Sequence, residues 1–134
     1  MKVVVDTNVI VSGLRTPSGT CAEVLDLVLD GLVQPCVDGR IVAEYEEVLH
    51  DPRSTFTTAQ VDALMETMRE DGEWPVAPRL SVYLPHPADR PFLEVASAAQ
   101  AILITGNKRH FPKRCCGKVL VLSPREFLDL FYHS

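Results

Sequence analysis

Three carboxylates and one amide, spread over most of the chain, are of the types and in the places to do chemistry together: Asp6, Glu44, Asp89 and Asn107. Asp6 follows Val3-Val4-Val5 directly, and Asn107 follows Ile102-Leu103-Ile104-Thr105-Gly106. Each therefore stands at the carboxyl end of an apolar run, which is where open α/β sheets build their sites. Glu44 would reach the same crevice from a helix face, with Glu47 three residues on and on the same side. Carboxylates gathered in one crevice repel one another, and a cation offsets that repulsion. All-oxygen donors, with no histidine or cysteine among them, select a hard ion, Mg²⁺ or Mn²⁺, over zinc. Such ions keep water and bind phosphate oxygens. The chemistry expected is hydrolysis of a phosphodiester, with a metal-activated water attacking phosphorus in line.

A sheet with helical crossovers is needed to bring these positions together. The runs Val3 to Val5, Val33 to Val37, Ile102 to Thr105 and Val119 to Leu122 have the pattern of parallel strands buried on both faces. Between them, Thr20 and Glu23 suit a capping box for a helix through Val24, Leu25 and Val28, with Gly31 placed to stop it. Asp38 can cap a helix carrying Ile41, Val42, Tyr45, Val48 and Leu49. Thr57 with Gln60 opens a fourth helix, carrying Val61, Leu64, Met65 and Met68, and Ser123-Pro124 with Glu126 opens the last. Pro91 suits the first turn of a helix through Phe92, Leu93, Val95 and Ala96, so Asp89 is either its N-cap or a site carboxylate. The fold class expected is α/β: one domain over residues 1–134, with a central parallel sheet of about four to five strands, right-handed crossovers and helices on both faces. If the third run lies beside the first, Asp6 and Asn107 become neighbours at the sheet edge.

A chain of 134 residues with 46% hydrophobic content can bury a core of its own. Only the three-residue apolar run Val3-Val4-Val5 leads into Asp6, too short for the apolar region of a signal peptide, and no apolar run nears the roughly 18 residues of a membrane span. A soluble, cytoplasmic protein with no membrane contact is expected. Cys21, Cys36, Cys115 and Cys116 lack Cys-x-x-Cys spacing, so reduced thiols are expected. The net charge of −5 argues against a protein that coats nucleic acid nonspecifically. Yet Lys108, Arg109, Lys113, Arg114 and Lys118 follow one another with no acid between Gly106 and Lys118, a stretch that suits either a local polyanion contact or a solvated basic loop. Trp74, Phe92, Phe127 and Phe131 suit the core or a dimer contact rather than base stacking, and Met65 and Met68 should pack. Exposed apolar surface on the fourth helix would mark a homodimer face. His50, His86, His110 and His133 show neither metal spacing nor a nucleophile partner.

The sequence resembles PIN-domain proteins of the kind found as VapC-like toxin ribonucleases of toxin-antitoxin pairs. The resemblance spans nearly the whole chain. It rests on Val5-Asp6-Thr7-Asn8-Val9, on Glu44 within Ala43-Glu44-Tyr45-Glu46-Glu47-Val48-Leu49, on Asp89 ahead of Pro91-Phe92-Leu93-Glu94, and on Thr105-Gly106-Asn107-Lys108. It implies a PIN-like fold, a Mg²⁺- or Mn²⁺-dependent endoribonuclease, an RNA substrate, a cognate antitoxin and a homodimer. It also implies that Asp6, Glu44 and Asp89 hold the metal and that Asn107 takes a fourth position at which the family usually has aspartate. An amide keeps an oxygen donor but loses a charge, which weakens a second metal more than a first. Asp6 would then be a direct ligand, Glu44 and Asp89 ligands or water-orienting bases, and Asn107 an outer ligand or hydrogen-bonding partner. Thr7, Asn8 and Thr105 would orient them through hydrogen bonds, unless Asn8 caps the helix that follows. Lys108, Arg109, Lys113 and Arg114 would hold RNA phosphates, with Arg15 and Arg40 as lesser candidates.

Other readings differ in what they require. A phosphatase with Asp6 as covalent nucleophile commonly uses a second acid two residues later, where this chain has Asn8. A nucleotide-binding domain needs a glycine-rich loop that is missing here. A noncatalytic PIN-like module binding RNA or protein, its metal site degenerate at Asn107, remains the alternative from another class.

Overall fold

The computed structural model describes residues 1–133. Its sheet has four parallel strands, β1 (Lys2–Val5), β2 (Gln34–Pro35), β3 (Ile102–Ile104) and β4 (Val121–Leu122), in the order β2-β1-β3-β4. The central pair is in register at Val3 with Ile102, Val4 with Leu103 and Val5 with Ile104. Successive side chains of a strand point to opposite faces, so the burial of Val3, Val4 and Val5 alike means that both faces are covered. Three adjacent β-branched residues suit that double burial.

The outer strands are shorter and more open than the apolar runs suggest. Val33–Val37 pairs as a strand only over Gln34–Pro35, and Val119–Leu122 only over Val121–Leu122. Pro35 has no N–H to offer, and Gln34 and Leu120 face solvent. The expectation of burial on both faces therefore holds for Val3 to Val5, for Leu103 and Ile104, and for Pro35, Cys36 and Val37, and fails at Gln34 and along Val119–Leu122, where Leu120 is exposed and the rest are half-buried.

Six helices connect the strands among the described residues: α1 (Thr7–Arg15), α2 (Thr20–Leu29), α3 (Gly39–Leu49), α4 (Thr58–Asp71), α5 (Arg90–Ala99) and α6 (Pro124–His133). Asp38 caps α3 by accepting from the backbone of Arg40 and Ile41, and Thr57 with Gln60 forms a complete capping box on α4. Ser123 and Glu126 do the same for α6, at 3.1 and 2.9 Å. The box expected at Thr20 does not form: Gly19 takes the cap position and Thr20 is already helical. Gly31 does close α2, at φ +75°, a conformation glycine adopts without strain. α1 and α2 approach closely at Gly13, where a side-chain carbon would lie 2.6 Å from Leu25 Cδ1 and 3.0 Å from the Cys21 carbonyl.

Tyr45, Phe92 and Phe127 are fully buried, whereas Trp74 is 46% exposed, which removes the core from the two places expected for it, core or dimer contact. Val61, Leu64, Met65 and Met68 of α4 all point inward, so that helix offers no apolar face of those residues to a second copy. Between α4 and α5 the chain runs extended, and two side chains of α5 strap it down. Arg90 donates to the carbonyls of Leu80 and Val82, while Glu94, 1% exposed, accepts from the Leu80 N–H at 2.7 Å and from Arg40 Nη1 at 2.7 Å. A buried carboxylate is stable only when paired in this way. The straps fix the start of α5 and with it Asp89.

Candidate active site

β1 has β2 on one side and β3 on the other, so the chain leaves it in opposite directions and a crevice opens past the carboxyl ends of the central strands. Asp6 stands there, its N–H donating to the Ile104 carbonyl at 2.9 Å. It occupies the N-cap position of α1, yet its side chain makes no cap bond. The carboxylate turns instead toward β3, where Oδ2 accepts from the Thr105 hydroxyl at 2.7 Å and from Asn8 Nδ2 at 3.3 Å. Asn8 also accepts from the Gly106 N–H at 3.0 Å, so it bridges the ends of β1 and β3 rather than capping α1. Thr105 Oγ1 accepts in turn from the Asn107 N–H at 3.0 Å.

Glu44 comes from α3 and accepts a hydrogen bond from the Thr7 hydroxyl. Its neighbour Tyr45 is buried and donates to the Val5 carbonyl, which pins α3 to the end of β1. Glu47 is exposed. Asp89 ends a 3-10 turn, Pro87–Asp89, and its side chain does not cap α5. Asp89 thus holds the N-cap position of α5, as the cap reading expects, without the side-chain bond of a cap.

Burial pushes the Asp6 pKa up from 3.8 to about 6. The Thr105 bond opposes the rise, the negative charge of Asp89 adds to it, the Thr7 N–H opposes it and Glu44 adds again. Asp89 and Glu44 are thus each within electrostatic reach of Asp6.

His110 is the residue that sequence reasoning missed. Its Nδ1 lies 2.9 Å from Asp89 Oδ2 and its Nε2 lies 2.8 Å from Asn107 Nδ2, so it stands between two of the four expected site residues. The ring of His86 stacks on it with centroids 4.0 Å apart. The expectation of a site without histidine is corrected here. Asn107 and His110 are three residues apart across the 3-10 turn Lys108–His110, which places them on one side of it. That spacing was the only signal in the sequence.

The donor chemistry suits a hard cation: buried Asp6 is flanked by two further carboxylates, and Asp89 Oδ2 is buried without a hydrogen-bond partner, its contact with His110 being close but not directed as a bond. Among the described residues, no three His, Cys, Asp or Glu side chains are drawn together tightly enough to hold an ion as they stand. Glu44 is engaged by Thr7 and Asp89 rests against His110.

Of the basic residues, Lys108 pairs with Glu126 at 2.9 Å, whereas Arg109, Lys113 and Arg114 are exposed. Arg40 is engaged by Asp38 and Glu94, which removes it as a free phosphate ligand, and Arg15 is exposed in the last turn of α1.

A parallel α/β sheet with three carboxylates and an amide at its switch point defines a class, and the model of the PIN domain family matches residues 2–109. The chain belongs to the PIN domain family. Eight chains of solved structures match it. One is from VapBC2 of Rickettsia felis, solved bound to a DNA fragment from their promoter. It has 14% identity and a TM-score of 0.60, over 92% of this chain and 98% of that one. At that identity the likeness is one of fold. No curated protein matches the chain.

Proposed function

We propose that this PIN domain, acting as a single unit over residues 1–134, is a Mg²⁺- or Mn²⁺-dependent endoribonuclease and the toxin of a toxin-antitoxin pair. The observation that carries the reading is Asp6, a carboxylate at the sheet's switch point, held by Thr105 and Asn8 and raised in pKa chiefly by burial, with Asp89 and Glu44 adding to the rise. Such a group binds a hard cation in exchange for a proton. When bound, the ion supplies Lewis acidity toward a phosphodiester and its attacking water. Asp6, Glu44 and Asp89 would hold it, which requires the three carboxylates to draw closer than they stand. Asn107 offers an oxygen donor. Thr7, Asn8 and Thr105 keep the carboxylates in place. Arg109, Lys113 and Arg114 would bear on RNA phosphates, with Lys108 joining once released from Glu126.

The antitoxin follows from the fold's likeness to VapBC2 and from the family, as does a cytoplasmic setting. The chain has no described helix long and apolar enough to cross a membrane. A homodimer would have to use a surface other than the inward face of α4. The noncatalytic module is favoured by one observation, the commitment of the Asn107 amide to His110 in place of a fourth carboxylate. Incubating the purified protein with labelled structured RNA, in Mg²⁺, Mn²⁺ or chelator, separates the two. Cutting that needs the metal and Asp6 supports the nuclease, and metal binding with no cutting of any RNA supports the module.

A further inference from the structure

We infer that His110 is a positioning residue of this site, one that sets the orientation of the Asn107 amide and the resting place of Asp89. The inference rests on the metal-dependent reading above and deepens it.

Asn107 Nδ2 carries only hydrogens to donate, so the imidazole nitrogen 2.8 Å away, Nε2, must be the acceptor. In a neutral ring the proton is then on Nδ1, which is the atom 2.9 Å from the Asp89 carboxylate. One tautomer thus offers the amide its acceptor and turns an N–H to the side of the carboxylate, a contact that is close without being directed as a bond. It also decides the amide: with Nδ2 turned to the ring, Oδ1 is the end turned away from it, and oxygen is what a hard cation or its water would use.

The ring itself is held across one face by the turn that carries Asp89. His86 stacks on it at 4.0 Å, and the His86 carbonyl accepts from the Asp89 N–H at 3.0 Å. The turn ending in Asp89 and the turn ending in His110 therefore clasp each other. Where a carboxylate at position 107 would bring oxygens in either orientation, an amide must be oriented, and His110 does it. Partners that orient metal ligands typically change affinity by about 10- to 100-fold when removed.

The test measures Mn²⁺ binding by calorimetry for the wild type, His110→Ala and His110→Gln. Nitrogen-15 NMR of the metal-free protein reads the His110 tautomer. The expected result is an unprotonated Nε2 and protonated Nδ1 in the wild type, and Mn²⁺ affinity lower by about 10- to 100-fold in His110→Ala. His110→Gln, whose amide oxygen can still accept from Asn107, should recover part of the loss. Equal affinity in wild type and His110→Ala, or a proton on Nε2 of the neutral ring, would overturn the inference. If His110→Ala fails to fold, the tautomer and the glutamine variant still decide. A wild type that binds no Mn²⁺ would sink the nuclease reading, while the tautomer would still decide the orientation of Asn107.

Discussion

The hydroxyl of Thr105 donates to Asp6 Oδ2 at 2.7 Å, joining the residues that follow two adjacent parallel strands. The bond opposes the effect of burial on Asp6, so its removal has a direction. Thr105→Val should raise the Asp6 pKa above about 6 and weaken Mn²⁺ binding at neutral pH by several-fold, since the ion must displace a more tightly held proton. Carboxyl carbon-13 NMR titration reads the first effect and calorimetry the second. An unmoved pKa would show that Thr105 only packs.

Stability should depend on pH through Asp6 with a sign opposite to that of a salt-bridged carboxylate. Its pKa is about 6 in the folded chain against an ordinary 3.8, so between those values the folded protein binds more protons than the unfolded one. Without metal, stability is greatest below about pH 4 as far as this group is concerned, and falls as pH rises to about 6. The full difference is on the order of 3 kcal/mol. Asp6→Asn should abolish that slope and be the more stable protein above pH 6. Urea denaturation of both chains between pH 4 and 8 in chelator measures it, and parallel curves would refute it.

Glu94 anchors the extended stretch ahead of Asp89 through Arg40, the Leu80 N–H and, at 3.4 Å, Arg90 Nε. Glu94→Ala leaves the Leu80 N–H and Arg40 Nη1 without their acceptor and the Arg90 guanidinium without its counter-charge, and should cost on the order of 2 kcal/mol, since Arg40 is partly exposed and keeps Asp38. Denaturation reads the loss, and faster hydrogen exchange at Leu80 reads the loosened strap. A loss below about 1 kcal/mol would mean that the arginines find other partners.

Much of this architecture was legible in the sequence because its signals are local. Val3-Val4-Val5 can only be a doubly buried strand, and Asp38, Thr57-Gln60 and Ser123-Glu126 announce helix starts through bonds spanning one turn. The cap at Thr20 failed because Gly19, lacking a side chain, takes the preceding position. Strand lengths at β2 and β4 were not legible, since apolar content reports burial and pairing depends on what lies alongside. Asp6 and Asn107 could be placed past the ends of their strands, and Glu44 on the face of its helix. His110 could not, because its meeting with Asp89 depends on how two turns from distant parts of the chain pack. Glu94, an acid between Leu93 and Val95 in the sequence, gave no hint that it would be the buried anchor of Arg40.

The central claim is that a metal held around Asp6 cleaves RNA, and the most direct measurement is cleavage of end-labelled structured RNA by the wild type beside Asp6→Asn, each in Mg²⁺, Mn²⁺ and chelator. The account predicts cutting by the wild type in metal alone, and a loss of at least about a hundredfold in Asp6→Asn while its fold is retained. Equal cutting by the two proteins, or cutting that survives the chelator, would contradict it.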